Sequence, residues 1–343
     1  MKTSIVIFLL LGIFSFNSKN IDKKSESGYL NFKNWGLINS RESHISAPEA
    51  WSKLQYKNKI IVAVLDTGVD LTHLNNIPLW TDPASLLGQP IHGWDMVEDH
   101  SNPIDTIGHG THIAGIIAAS RDDSRGIVGV ASNVEIMSIR FYSPYTSGDL
   151  NTKHLVKAIH YAIDHGAQII NISAGGPGSN DDEYLAIKES ESLGILVVVA
   201  AGNQHLNIDL ELDGNYPASY HTSNMITVAS LDFNNNLVSS SNWGSTVDVG
   251  APGELIYSLL PGNSYGYMTG TSQATAFVSG LGAMILGENP LLTPSEVKNI
   301  ILESVDVIPN LKNQIKTSGR INALTAVGKI QNKKSWNLVS FAD

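Results

Sequence analysis

The feature that most constrains the fold of this chain is a series of short segments that are apolar without polar alternation. They lie at 59–65, 134–141, 167–173, 194–200, 225–230 and 246–249. Strands of this kind are covered on both faces, as in a parallel sheet. Stretches with helical spacing separate them, at 109–120, 151–165, 181–193, 272–286 and 293–304. The alternation predicts an α/β fold with three layers and a doubly wound, mostly parallel sheet.

In such a sheet, functional side chains follow the carboxyl ends of strands or begin the next helix. Asp66 directly follows the first apolar strand. His109 lies between two glycines at the start of a helical stretch, and Ser272 follows Gly-Thr at the start of another. These three residue types are the ones that acyl transfer requires, because a hydroxyl attacks, an imidazole moves its proton and a carboxylate orients the imidazole. They are therefore the candidate catalytic residues.

Each candidate also has a structural interpretation. Asp66 precedes Thr-Gly and could cap a turn, while Asp70 follows the same strand. His112 lies one turn after His109 on the same helix and competes for the role of base. Ser272 differs from most serines, which cap helices or lie on surfaces, because it begins a stretch that is apolar almost all round. A helix of that kind is predicted to be buried in the centre of the fold.

Three motifs carry a resemblance to a known family. They are Asp66-Thr67-Gly68, His109-Gly110-Thr111-His112 and Gly270-Thr271-Ser272, in the order Asp, His, Ser. The chain resembles the subtilisin-like serine proteases, or subtilases, from about Trp35 to Lys329. The resemblance implies a subtilisin-like fold and a serine endopeptidase that hydrolyses peptide bonds of proteins through an acyl-enzyme. A catalytically silent subtilase that binds or regulates other proteins is the alternative.

The resemblance also assigns roles to individual residues. It implies that Asp66, His109 and Ser272 form the triad, with the first histidine of the motif as the base. It makes Asn203 of Ala-Ala-Gly-Asn the second donor to the oxyanion. Residues 171–176 resemble the strand that pairs with extended substrate, and residues 142–148 resemble the strand on the opposite side. The implied substrate-binding residues are Tyr142, Ser173, Ala174, Gly175, Ala200, Ala201 and Gly202.

The chain departs from the family pattern after the serine. Gln273 stands where the family has Met, and Ala276-Phe277 where it has Pro-His. The departures leave the catalytic groups in place but change the edge of the pocket for the residue before the scissile bond. The walls of that pocket are small and uncharged, which predicts an apolar preference.

The chemistry implied by the resemblance requires no cofactor, but two acidic loops are candidate sites for structural calcium. Calcium prefers clustered oxygen ligands. The loop before His109 offers Asp95, Asp99, Asn102 and Asp105 and resembles a calcium loop of some subtilases. The loop at 122–126 resembles another such site. The alternative for both loops is a solvated acidic surface.

Composition limits the compartment and the partners. The chain has 343 residues, 32 acidic against 22 basic, with a net charge of −10 and no cysteine. This charge argues against nucleic acid or an anionic membrane as a partner, and no disulfide or thiol site can form. We expect polypeptide substrates, no stable membrane insertion and a monomer.

The first residues indicate export. Met1-Lys2-Thr3 precedes an apolar run over 5–16 that is too short to span a bilayer comfortably. We expect a signal peptide at 1–18, a short polar leader without a folded prodomain at 19–34, a peptidase domain at 35–330 and a tail at 331–343. The protein would then be periplasmic or extracellular, whereas a buried N-terminal helix would make it a cytoplasmic protease.

Overall fold

Nine of the strands form one mostly parallel sheet in the computed structural model, which describes residues 33–55, 58–73, 76–86, 88–122, 124–210 and 214–339. The described strands are β1 (Ile60–Asp66), β2 (Gly93–Asp95), β3 (Val134–Arg140), β4 (Ile169–Ile172), β5 (Leu196–Ala200), β6 (Met225–Leu231), β7 (Val249–Pro252), β8 (Ile256–Leu260), β9 (Ser264–Met268), β10 (Asp306–Val307) and β11 (Gly319–Arg320). The described helices are α1 (Ala47–Trp51), α2 (His109–Ala118), α3 (Gly148–Asp164), α4 (Asp181–Ser192), α5 (Thr271–Glu288), α6 (Pro294–Leu302) and α7 (Ala323–Val339).

The order of strands in the sheet is β10-β11-β7-β6-β5-β4-β1-β3-β2. All neighbours are parallel except β10 and β11. From β1 the chain builds one side through β3 and then returns to place β4 on the other side. The side on which successive strands are added therefore reverses at β1. In doubly wound folds, ligand crevices open at such a point.

Helices cover both faces of the sheet and produce two hydrophobic cores. One core contains side chains of α2, α5, α6 and α7, and the other contains side chains of α3 and α4. Every residue of α5 is buried, as its apolar sequence predicts. The prediction of a three-layer, doubly wound α/β fold is confirmed.

Several boundaries differ from the sequence expectations. The strand expected at 246–249 begins only at Val249, because the Asp209 carboxylate accepts hydrogen bonds from the N–H groups of Ser245 and Thr246 before the chain joins β6. Residues 331–339, expected as a tail, instead continue α7, which packs against α1. The hairpin of β8 and β9 was not expected, since β9 is half exposed and lacks a clear apolar pattern.

Two expectations concern segments beyond these elements. The predicted signal peptide and nearly all of the leader fall within 1–32, outside the described residues. Of the helices that the structure describes, none is long and apolar enough to span a bilayer.

Candidate active site

Asp66 and His109 form a buried pair where β1 ends and α2 begins. His109 Nδ1 lies 2.7 Å from Asp66 Oδ1, and the two residues are 6% and 4% exposed. A carboxylate can only accept, so the Nδ1 atom carries the proton and donates it. The backbone N–H of Thr67 donates to the same oxygen at 2.7 Å. This arrangement leaves Nε2 as the ring nitrogen whose lone pair can accept a proton.

The surroundings of His109 act on its pKa in opposite directions. Burial lowers the pKa, but the charge and hydrogen bond of Asp66, with a contribution from Asp105, raise it by more. The net effect is a pKa above the usual value of 6.5. His109 is thus made a stronger base by its partner, as a general base requires.

The loop before α2 fixes the position of His109. The Asp105 carboxylate accepts five hydrogen bonds: from Thr67 Oγ1, from the N–H groups of Ile107 and Gly108, and from the N–H and Oγ1 of Thr111. The first turn of a helix has N–H groups without helical partners, and Asp105 satisfies several of them. Gly110 allows the close approach to β1, since a Cβ there would lie 2.1 Å from the Gly68 carbonyl oxygen.

The two competing residues have structural contacts instead. His112 Nε2 lies 3.0 Å from the Ile256 carbonyl oxygen, and burial lowers the pKa of His112 to about 3. It is a neutral donor in the core. The Asp70 carboxylate accepts from Thr72 and from the N–H of Gly262. Neither residue contacts the Asp66–His109 pair through a hydrogen bond among the described residues.

The register of β1 and β4 brings Ser272 to the same place. Leu65 is paired with Ile172, so the next residues, Asp66 and Ser173, are neighbours at the ends of adjacent strands. Adjacent strands lie about 4.8 Å apart. The Ser272 hydroxyl donates to the Ser173 carbonyl at 3.0 Å, and the Ser173 hydroxyl donates to the Ser272 carbonyl at 3.3 Å. The residue that binds His109 and the residue that binds Ser272 are therefore neighbours in the sheet.

The serine hydroxyl and the histidine are not hydrogen-bonded in this state. Among the described residues, the partner of Ser272 Oγ is the Ser173 carbonyl, with no bond to His109. Catalytic hydrogen bonds are often loose without substrate and tighten when it binds. A rotation about χ1 of Ser272 changes the direction of the hydroxyl.

Asn203 is oriented by the residue before Ser272. Its Oδ1 atom accepts from the Thr271 N–H at 2.9 Å and from Thr271 Oγ1 at 3.2 Å. Because Oδ1 is the acceptor in both bonds, the amide Nδ2 points away from Thr271, and no residue that the structure describes accepts a hydrogen bond from it. The N–H of Ser272 lies in the first turn of α5, where helix N–H groups have no helical partner. These two donors can together bind a developing oxyanion.

The expected substrate-binding segments differ in how accessible they are. Ala174 and Gly175 are half buried, follow β4, and form no backbone hydrogen bond within the described part of the chain. The segment at 142–148 forms a turn rather than a strand, and Tyr142 is only 7% exposed. Ala200, Ala201 and Gly202 lie at and after the end of β5 and are buried. Asn215 and Asn242 both donate to the Ala201 carbonyl, which fixes this wall.

The two departures after Ser272 are accommodated inside the fold. Gln273 is buried, with Nε2 lying 3.9 Å from Met268 Sδ. Phe277 is fully buried under Gly36, where a Cβ would come within 2.5 Å of the phenyl ring. Neither side chain is hydrogen-bonded to Asp66, His109 or Ser272.

The four expected calcium ligands include three that have other partners. Asp95 binds Arg140 at 2.6 Å, Asp99 accepts from the Trp94 indole at 3.2 Å, and the two oxygens of Asp105 cap α2. Within the described residues, the acidic group whose ligand atoms lie within 4.8 Å of one another is Asp95, Glu98 and His100. Arg140 also binds Glu98, at 3.0 Å. A guanidinium and an imidazole are poor neighbours for calcium, so this arrangement does not fit the ion, and the calcium prediction, which included Asn102, remains untested.

Several supporting residues were missed by sequence reasoning. Thr271 orients Asn203. The start of α2 is fixed by Thr67 and Asp105. Asn171 donates to Ser173 Oγ and accepts from Ser279 Oγ. Their motifs were visible, but nothing local to them indicates which distant atom they contact. Asp105 carried one signal, an Asx position four residues before the helix start.

Comparison with known proteins agrees with this geometry. A family model described as "Subtilase family" matches residues 57–333. Thermitase of Thermoactinomyces vulgaris is 37% identical over 82% of this chain and 93% of its own length. Thermophilic serine proteinase of Bacillus sp. (strain AK1) is 38% identical over 81% of this chain and 64% of its own, and the major intracellular serine protease of Bacillus subtilis (strain 168) is 37% identical over 70% and 72%. Among solved structures, a protease of Pseudoalteromonas arctica PAMC 21717 has a TM-score of 0.70 with 26% identity, covering 88% of this chain and 99% of that one.

Proposed function

The chain belongs to the subtilase family and is a serine-type endopeptidase, and we propose that it forms its acyl-enzyme on Ser272. The β1–β4 register carries this proposal, because it puts the residue that binds His109 beside the residue that binds Ser272. His109 Nε2 accepts the hydroxyl proton during attack and returns it to the leaving amine. Asp66 keeps the proton on Nδ1 and stabilises the imidazolium that forms.

The proposed oxyanion site is the amide Nδ2 of Asn203 together with the N–H of Ser272. Both are held before substrate arrives, since Thr271 fixes Asn203 and α5 fixes the backbone of Ser272. Donors arranged in advance stabilise charge that exists only in the transition state. No step of this chemistry passes through a metal.

The acyl half of the substrate is proposed to pair with residues 173–175, where the backbone groups of Ala174 and Gly175 have no backbone hydrogen bond within the described residues. An extended peptide can add to such an edge as a strand, with affinity from main-chain hydrogen bonds and selectivity from side-chain pockets. The small walls at 173–175 and 200–202 would receive the side chain before the scissile bond. Tyr142 follows β3, and its N–H donates to the Asp66 carbonyl at 3.3 Å; it is proposed to contact the substrate from the opposite side.

Export to the periplasm or extracellular space is proposed from the sequence of residues 1–18. One relative is named an intracellular protease, so membership of the family does not decide the compartment. N-terminal sequencing of protein recovered outside the cytoplasm tests this proposal. A chain that retains Met1 and stays in the cytoplasm would contradict it.

Labelling with a fluorophosphonate tests the assignment of the nucleophile. We expect one labelled serine in the wild type, identified as Ser272 by peptide mapping, and none in Ser272→Ala. Ser304→Ala is the matched control, because Ser304 is also buried and its hydroxyl donates to the Ile300 carbonyl of its own segment. Labelling that persists in Ser272→Ala, or that is absent from the folded wild type, would refute the proposal and would favour a silent subtilase.

A further inference from the structure

A second cleft lies beside the proposed substrate strand and does not belong to the catalytic groups. It has a volume of about 380 Å³ including its open mouth. The walls include Phe141, Leu155, Ala174, Gly176 and Tyr216, which are mostly apolar, and one carboxylic acid, Glu183. It does not include residues 200–202, so it is distinct from the expected pocket for the residue before the scissile bond.

Glu183 is an unusual side chain for such a position. It lies in the first turn of α4 and is 4% exposed, with no basic partner among the described residues. Its hydrogen bond is to the Tyr220 hydroxyl, 3.1 Å from Oε2. Glutamate is almost never this buried without a partner. Its other oxygen, Oε1, has no hydrogen-bond partner within the described part of the chain.

The hydrogen bonds around Tyr220 indicate how Glu183 is accommodated without a ligand. The Tyr220 oxygen accepts from the Asn180 N–H at 2.8 Å and lies 2.9 Å from the Asn180 carbonyl. Tyrosine has one hydroxyl proton, so it cannot donate to both Asn180 and Glu183. A protonated Glu183 resolves this by donating to Tyr220, which then donates to Asn180. Consistently, burial raises the pKa of Glu183 to about 7.

The position of the cleft determines which substrate residue reaches it. Ser173 binds the nucleophile, and the segment then runs away from Ser272 to Gly176. Three residues of extended chain cover about 10 Å. A peptide paired along this segment would therefore place over the cleft a side chain about three residues before the one whose carbonyl is attacked.

We propose that Glu183 is a specificity residue that selects a lysine or arginine side chain at this upstream position of the substrate. The aliphatic stem would lie along Phe141, Leu155 and Tyr216, and the cationic group would meet the carboxylate at the base of the cleft. An opposite charge that enters the cleft favours the ionised form of Glu183. The cation then pairs with the Oε1 atom of Glu183, for which the described residues provide no hydrogen-bond partner in the free enzyme. This inference rests on the proposed function of Ser272 and residues 173–175.

Synthetic peptides with one cleavage site test the proposal. Lysine, arginine, norleucine and glutamate are varied in turn at the second to fifth positions before the scissile bond, and kcat/KM is measured for each. In the wild type we expect lysine to exceed norleucine by about tenfold at one of these positions. We expect Glu183→Gln to reduce the ratio to about one, and Glu183→Leu to favour norleucine.

The controls separate the possible failures. Glu189→Gln removes an exposed carboxylate from the same helix and should leave the ratio unchanged. Fluorophosphonate labelling of Ser272 shows that a variant is folded. A wild type without a lysine or arginine preference, or a preference that survives in Glu183→Gln, overturns the inference. Absence of any cleavage that depends on Ser272 would instead overturn the proposed function.

The selectivity should also depend on pH. The lysine-to-norleucine ratio is expected to rise as pH increases through about 7, because Glu183 must lose its proton to pair with the cation. The ratio cancels the titration of His109, which both substrates share. The other polar groups around Glu183 are the phenols of Tyr216 and Tyr220, the amide of Asn151 and the hydroxyl of Thr152. Its own helix adds the exposed carboxylates of Asp181 and Asp182. A ratio that is constant from pH 6 to 9 would contradict ionisation of Glu183 as the cause.

Discussion

At the scale of single residues, the site depends on hydrogen bonds that fix the direction of each reactive group. Asp66 determines which nitrogen of His109 carries the proton, and Thr271 determines which end of the Asn203 amide faces outward. In both cases the neighbour accepts or donates in only one way, so a single orientation is allowed. The reactive groups are thus arranged before substrate binds.

Replacing Asn203 by alanine should reduce kcat by two to three orders of magnitude with little change in KM. The amide would contact the oxyanion, which is present only in the transition state, and loss of such a donor costs about 3–4 kcal/mol. Steady-state kinetics with a single-site peptide measure this change. Gln204→Ala, at the exposed neighbouring residue, is the control. A loss mainly in KM would mean that Asn203 binds substrate instead.

The acidic limb of the pH profile should report His109. Its pKa is raised, so kcat/KM is expected to increase with pH through a midpoint above 6.5, as His109 loses its Nε2 proton. A peptide without basic upstream residues avoids any contribution from Glu183. His160→Gln, at an exposed histidine of α3, should not move the midpoint. A midpoint at or below 6.5 in the wild type would argue against coupling to Asp66.

At the scale of elements, the first turns of α2 and α5 are capped by side chains of nearby loops rather than by their own N-cap residues. Neither α2 nor α5 has a side-chain cap at its own N-cap residue, because both N-caps are glycine. Asp105 supplies the acceptors for α2, and Asn203 supplies one for α5. The N–H of Ser272 is the proposed donor to the oxyanion, and a glycine at the N-cap is suitable there because it does not occupy that N–H.

Asp105→Asn should destabilise the start of α2. One of its oxygens becomes an amide donor that faces N–H and hydroxyl donors, leaving buried groups unsatisfied at a cost of about 1–3 kcal/mol. Chemical denaturation in a Ser272→Ala background, which prevents self-digestion, measures the free energy of unfolding. Asp99→Asn is the matched control, since Asp99 is exposed in the same loop and Asn tolerates its positive φ of 57°. Equal stabilities for the two variants would contradict a capping role for Asp105.

The loop at 95–105 should not depend on calcium. Arg140 already provides a positive charge to Asp95 and Glu98, and its hydrogen bond lowers the pKa of Glu98. We therefore expect a strong chelator to leave amide hydrogen exchange in the loop at 95–105 of the Ser272→Ala protein unchanged. Faster exchange in this loop on chelation, reversed by added calcium, would instead support a calcium site there, as a bound ligand stabilises only the native state.

At the scale of the whole molecule, α5 connects the active site to the core. It begins beside Ser272, the proposed nucleophile, and packs against α2 and against β4, β5 and β6 of the sheet. Gly280 lies where it approaches Val130, and a Cβ there would come within 2.5 Å of the valine Cβ. Close packing of this kind fixes the angle of the helix, and with it the position of Ser272.

Gly280→Ala and Gly328→Ala should change stability in opposite directions. Alanine favours a helix over glycine by about 1 kcal/mol, but at Gly280 overpacking should outweigh this and destabilise by about 1–3 kcal/mol. A Cβ added at Gly328 in α7 would meet no neighbouring atom within 4 Å, so alanine there should stabilise slightly. Thermal unfolding of both variants in the Ser272→Ala background compares them. A stabilised Gly280→Ala variant would show that α5 can shift freely.

The sequence alone determined the fold class and the candidate triad, because both depend on local signals. Apolar runs and helical spacing are read over a few residues, and Asp66, His109 and Ser272 each stand in a short motif at a strand end or helix start. The tertiary structure decided which partner each group meets. The core position of His112, the capping role of Asp105, the orientation of Asn203 and the burial of Glu183 involve residues far apart in the chain. These contacts depend on strand register and helix packing, which no local pattern specifies, since they form only when the whole sheet is assembled.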